Sequence, residues 1–94
     1  MKNDPRIEFT PYFNKQRKAA TLEIKQAFLE TLALFIVDPS HSSLRNHPLK
    51  EKFAGYRSIN VTEDWRAIFK EHQTREQKIF TFHMIGSHDE LYGK

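Results

Sequence analysis

The chain has 94 residues, 38% of them hydrophobic and 29% charged, with three glycines, four prolines and no cysteine. That composition is globular: it excludes collagen-like, low-complexity and wholly disordered chains, leaves room for one domain (1–94) with a modest core, and excludes disulfides and thiolate zinc sites. The net charge of +3 is uneven, since Pro11 to Arg57 carries eight bases against four acids, a balance that suits a polyanionic partner such as RNA and equally an ordinary soluble protein.

In chain order, Met1 to Pro5 is followed by no apolar segment, so neither a signal peptide nor a membrane anchor is expected and a reducing, cytoplasmic setting fits. Arg6-Ile7-Glu8-Phe9-Thr10 alternates as a strand does. Thr10-Pro11 pairs a good N-cap with the residue favoured at the first helical position, and Thr21 followed by Glu23 offers a second cap. Two helices rather than one bent helix are therefore expected between 11 and 37. In the second, Ile24, Phe28, Leu32, Phe35 and Ile36 recur at helical spacing, and its last six residues are apolar all round, which predicts a deeply packed end. That run, Leu32 to Val37, is the longest apolar stretch and falls far short of the ~18 residues of a membrane span. Asp38-Pro39-Ser40 ends the helix, and His41 to Asn46 is expected to form a polar loop. Strands follow at Tyr56–Val61, Asp64–Phe69 and Lys78–Ile85, joined by Thr62-Glu63 and by a polar connection over Glu71 to Gln77. Gly86 closes the last strand, and Ser87 caps a helical turn through Tyr92. The order strand, helix, helix, strand, strand, strand predicts an α+β fold with an antiparallel meander covered on one face by helices.

No phosphate-binding glycine loop, HExxH or CxxC is present, and no two histidines stand three or four apart, so neither a metal nor a cofactor is expected. Four places are more polar than a core requires: His47 with Lys50, Arg57 to Asn60, Asp64-Trp65-Arg66, and His88 to Tyr92. Strand alternation puts Asp64 and Arg66 on one face and Trp65 on the other with Ala67 and Phe69; Tyr56, Ser58 and Asn60 likewise oppose Arg57, Ile59 and Val61. A meander would gather these acids, bases and imidazoles at one end of a sheet. Metal-free RNA cleavage needs such a set: a base for the ribose 2′-hydroxyl, a cation for the phosphorane, an acid for the 5′-oxygen, and rings to stack bases. Each piece also has a plainer role. His47 can be a loop residue, Asp64 a turn cap, Trp65 core, Arg66 a surface ion pair, His88 part of a helix cap and Tyr92 a packed ring. Lys15, Arg17 and Lys18 fit a solvated helix face, and His41, His72 and His83 carry no assigned role.

His47-Pro48-Leu49-Lys50, Gly55-Tyr56-Arg57, Val61-x-x-Asp64-Trp65 and Gly86-Ser87-His88-x-x-Leu91-Tyr92, in this order and spacing, resemble the YafQ branch of the RelE/ParE toxin superfamily. The resemblance implies two helices on a mainly antiparallel four-stranded sheet. It also implies a type II toxin that cuts mRNA in the A site of the 70S ribosome without metal or cofactor and is neutralised by a protein antitoxin. Carried onto this chain, it makes His47, Asp64 and His88 catalytic candidates, with Asp64 and His47 sharing base duty and His88 as acid; Arg66, which the YafQ pattern lacks, is a catalytic candidate by its similarity to the cation of HigB-like toxins, holding the phosphate with Arg57. Lys50, Arg57, Asn60, Trp65 and Tyr92 become the RNA-binding candidates. Where the family pattern has a histidine four residues before the Asp-Trp pair, this chain has Asn60, which hydrogen-bonds but transfers no proton at neutral pH. Two alternatives stay open: a ParE-like gyrase inhibitor without RNA chemistry, and an attenuated toxin that mainly binds its antitoxin.

Overall fold

Thr10 and Thr21 act as the sequence predicts. The Thr10 hydroxyl accepts from the Phe13 N–H at 3.0 Å, with Pro11 opening the helix, and the Thr21 hydroxyl accepts from the Ile24 N–H at 3.2 Å. The computed structural model describes residues 4–93. It separates helix α1 (Pro11–Ala19) from α2 (Leu22–Val37), the chain turning extended at Ala20. Around them run strands β1 (Arg6–Phe9), β2 (His47–Pro48), β3 (Arg57–Asn60), β4 (Trp65–Gln73) and β5 (Lys78–Ser87), and a short helix α3 (His88–Tyr92).

The fold is α+β, with a sheet richer than expected. The described residues form five strands in the order β1-β5-β4-β3-β2, and β1 pairs β5 in parallel while every other pair is antiparallel. The added strand, β2, holds only His47 and Pro48, too short for any alternation to announce it. Glu71 to Gln73, expected in a connection, extend β4, because Lys78 and the rest of β5 continue the ladder opposite them; the turn itself is closed by Thr74 and Gln77. In place of a plain polar loop, Ser42–Leu44 form one 3₁₀ turn that buries Leu44.

The core is an assembly of phenylalanines. Phe82 of β5 lies 5.2–5.9 Å, centroid to centroid, from Phe9, Phe13, Phe28, Phe35 and Phe69. Lys15 and Lys18 are exposed, while Arg17 is partly buried: its guanidinium stands 4.6 Å over the Phe9 ring at an edge of this cluster, and its Nη2 donates to Asn14 Oδ1. The C-terminal end of α2 departs from expectation in the other direction. Phe35 is fully buried, yet Ile36 is 42% and Val37 82% exposed, since a helix lying on a single sheet has one stripe to bury however apolar its other faces are.

Register decides what faces the helices. Arg57, Phe69 and Phe82 stand in one row across the sheet, and Ile59, Ala67 and Ile85 in another, both on the helix side. Between these rows β5 has one residue more than β4, His83, a bulge that returns Ile85 to the core side after Phe82. Ser58, Ile68 and Met84, and then Asn60, Arg66 and Gly86, form the rows of the opposite face, which α3 crosses.

Candidate active site

The face away from α1 and α2 carries an open cavity of about 610 Å³. Asn60 and Arg66, neighbours across β3 and β4, form its floor; His47 borders it from β2, and His88 and Tyr92 from α3. Arg45, Asn46 and Leu49 complete the lining, which contains bases, imidazoles and amides but no carboxylate among the described residues. Such a surface favours an anionic ligand.

Two of these side chains, Arg66 and His47, are held by backbone carbonyls. The Arg66 guanidinium donates from Nη1 to the carbonyls of Thr62 (3.1 Å), Glu63 (2.9 Å) and Trp65 (3.2 Å), so it is anchored by the turn that precedes it rather than by the carboxylates of Glu63 or Asp64. His47 Nδ1 lies 2.7 Å from the Arg45 carbonyl. A carbonyl only accepts, so Nδ1 carries the hydrogen and Nε2 of the neutral ring is left with its lone pair. Helix α3 is fixed at its start by a reciprocal capping box between Ser87 and Glu90, and the His88 N–H donates to the Asp64 carbonyl at 2.8 Å. The His88 ring meets Tyr92 one turn on, at 4.7 Å. Gly86 lets α3 lie this close to the sheet: a Cβ there would stand 3.1 Å from Glu90 Oε1 and 3.3 Å from Leu91 Cδ2.

The candidates divide. The cavity brings together His47, Asn60, Arg66, His88 and Tyr92, while Lys50 lies beside it in a smaller hollow that shares Leu49 and Tyr92. Asp64 sits on the exposed β3–β4 turn and reaches the site through its carbonyl, not through its carboxylate. Trp65 packs against the core cluster. Arg57 points to the helix side, where its Nε donates to Asn46 Oδ1 at 2.8 Å. Arg45 and Asn46 were not anticipated from the sequence.

A string of rings leads away from the cavity: His88–Tyr92, then Phe53 at 5.8 Å from Tyr92, Tyr56 at 6.3 Å from Phe53, and His83 at 5.2 Å from Tyr56. Lys70 lies 4.6 Å over the Tyr56 ring. Burial, and next the Lys70 charge, lower the His83 pKa below the ordinary 6.5 of imidazole. The unfolded chain therefore takes up this proton first as pH falls. Stability contributed by neutral His83 is complete above pH 6.5 and declines as pH drops below it toward the folded value. Urea midpoints at pH 7.5 and 5.5 should show a smaller loss on acidification in His83→Gln than in the parent.

The chain also matches known proteins. The family model described as the bacterial toxin of a type II toxin–antitoxin system, YafQ, matches residues 5–93. The mRNA interferase toxin YafQ of Escherichia coli strain B/BL21-DE3 is 31% identical over 91 residues, 93% of this chain and 95% of that protein. The crystal structure of YafQ from E. coli BL21(DE3) superposes with a TM-score of 0.75 at 27% identity, covering 95% of this chain and 99% of the other. A chain of the crystal structure of the E. coli DinJ–YafQ toxin–antitoxin complex gives 0.72 at 26% identity over 99% of this chain and 100% of the other. A family model spanning nearly the whole chain, joined to a fold that places His47, Arg66 and His88 around one carboxylate-free cavity, makes this chain a member of the YafQ family of bacterial type II toxins.

Proposed function

We propose that the chain is an endoribonuclease that cuts mRNA on the ribosome by attack of the ribose 2′-hydroxyl on the adjacent phosphorus, and that a protein antitoxin holds it inactive. The relatives named above support the activity, and the complex of one of them with DinJ supports the partner. The observation that carries the chemistry is the His47 Nδ1–Arg45 carbonyl bond, which leaves Nε2 as a base. In this reading His47 Nε2 takes the 2′-hydroxyl proton and the 2′-oxygen bonds to phosphorus. The Arg66 guanidinium, its Nη1 already engaged, meets the phosphorane charge with its remaining N–H groups. Protonated His88 gives its hydrogen to the departing 5′-oxygen, leaving a 2′,3′-cyclic phosphate and a free 5′-hydroxyl. Asn60 hydrogen-bonds ribose or phosphate, Lys50 adds a cation at the rim, and Tyr92 offers a stacking face. Base duty falls to His47 alone, Asp64 serving to hold α3 through its carbonyl.

Primer extension on a reporter mRNA incubated with purified protein, with and without translating ribosomes, tests this reading. In-frame breaks that need the ribosome are expected. Intact mRNA with inhibited DNA supercoiling would move the assignment to a gyrase-directed toxin, and intact mRNA with antitoxin binding alone to an attenuated one. Gly86→Ala offers a subtler check, because Glu90 and Leu91 must yield by a few tenths of an ångström and carry α3 with them. Stability should change by less than about 1 kcal/mol, while single-turnover cleavage should fall roughly tenfold as His88 and Tyr92 shift.

A further inference from the structure

Arg57 and Asn46 form a connected unit that ends at the proposed base. Asn46 uses both ends of its amide: Oδ1 accepts from Arg57 Nε at 2.8 Å, and Nδ2 donates to the Pro39 carbonyl at 3.0 Å, just past the end of α2. It thereby ties the segment between α2 and β2 to β3. On either side of it stand Arg45, whose φ of 50° and ψ of 43° are left-handed for a residue with a Cβ, and His47. Left-handed backbone at a non-glycine residue persists only where the surroundings impose it. Here it aims the Arg45 carbonyl at His47 Nδ1. Arg57 occupies the helix-side row with Phe69, across the sheet from the cavity floor, so a phosphate bound over Asn60 and Arg66 lies on the other face.

We infer that Arg57 and Asn46 are positioning residues: through the Arg45 peptide they fix the His47 ring as its Nδ1–H tautomer, with Nε2 free, and Arg57 does not bind RNA phosphate. This rests on the reading of His47 as base. The family resemblance pointed to Arg57 as a phosphate contact, so the two roles make opposite predictions.

The test uses the full-length protein labelled with ¹⁵N, because long-range ¹H–¹⁵N spectra distinguish the two imidazole nitrogens. The parent should show His47 as the Nδ1–H tautomer. Asn46→Ala and Arg57→Ala should each return it to the mixture of an unconstrained ring, with the rest of the spectrum retained. Single-turnover cleavage should fall about 10–100-fold at unchanged affinity for programmed ribosomes, and the double variant should be no slower than the worse single one. Asn46→Asp, which keeps the acceptor for Arg57 but loses the donor to the Pro39 carbonyl, should retain more of the Nδ1–H tautomer than Asn46→Ala. The inference is overturned if Arg57→Ala leaves the tautomer unchanged while ribosome affinity weakens and its salt dependence drops by about one unit, the behaviour of a phosphate contact. Arg57→Gln supplies the same readouts where the alanine variant does not fold. Since the tautomer is read on the free protein, a His47→Ala variant that still cleaves removes the base assignment and leaves the positioning result standing.

Discussion

His88→Ala should slow mRNA cleavage by about 10²–10⁴-fold, the range for loss of a general acid, while leaving the folded chain intact. The ring is exposed and its one ring contact among the described residues is with Tyr92. The backbone bond from the residue 88 N–H to the Asp64 carbonyl does not depend on the side chain, and the capping box uses Ser87 and Glu90. Alanine also has the highest helix propensity. Little stability is therefore at stake, and the loss belongs to chemistry. His47→Ala, at the proposed base, should cost a similar factor. Single-turnover assays on programmed ribosomes measure both losses. Asn60→Ala should keep most of the activity, since an amide moves no proton. A His88→Ala protein cutting at the parental rate would end the assignment.

The largest structural effect belongs to Phe82→Ala, expected to destabilise the protein by about 3–5 kcal/mol. Phe82 is fully buried and touches rings from β1, α1, α2 and β4 at once. Its removal opens a cavity that no single neighbour can fill without leaving another. Against the roughly 5–15 kcal/mol of a typical domain, that loss leaves a substantial unfolded fraction at moderate temperature. Urea denaturation followed by tryptophan fluorescence measures it, because Trp65 packs against the same cluster. A change below about 1 kcal/mol would mean that the rings repack around the gap, contrary to the close packing of protein interiors.

What the sequence disclosed follows the physics of each signal. Thr10-Pro11 and Thr21 are local chemistry, and both caps form where the residues predict. Alternation in β3 and β4 is local as well, so the opposition of Arg57 to Asn60 and of Trp65 to Arg66 is legible in the residues alone. The parallel pairing of β1 with β5 is not local; nothing in Arg6 to Phe9 tells which strand it will join. Strand β2 is too short for a period, and the left-handed turn at Arg45 lacks the glycine or asparagine that usually announces one. The roles of Asn46 and of the Asp64 carbonyl escape for the same reason: they act through contacts between distant segments and through main-chain atoms, which every residue type possesses. The exposed end of α2 shows the converse, a strong apolar signal that the fold leaves at the surface.

The parallel pairing of β1 with β5 bears on when a newly made molecule can complete its fold. The first strand closes the sheet only beside residues 78–87, and His88 and Tyr92 come later still. Until residues 78–92 have been made, β1, α1 and α2 have neither Phe82 nor the α3 wall to fold against. The hydrophobic core and the candidate site are therefore completed by the same late elements, so a molecule that has not yet closed its sheet has no assembled cavity either.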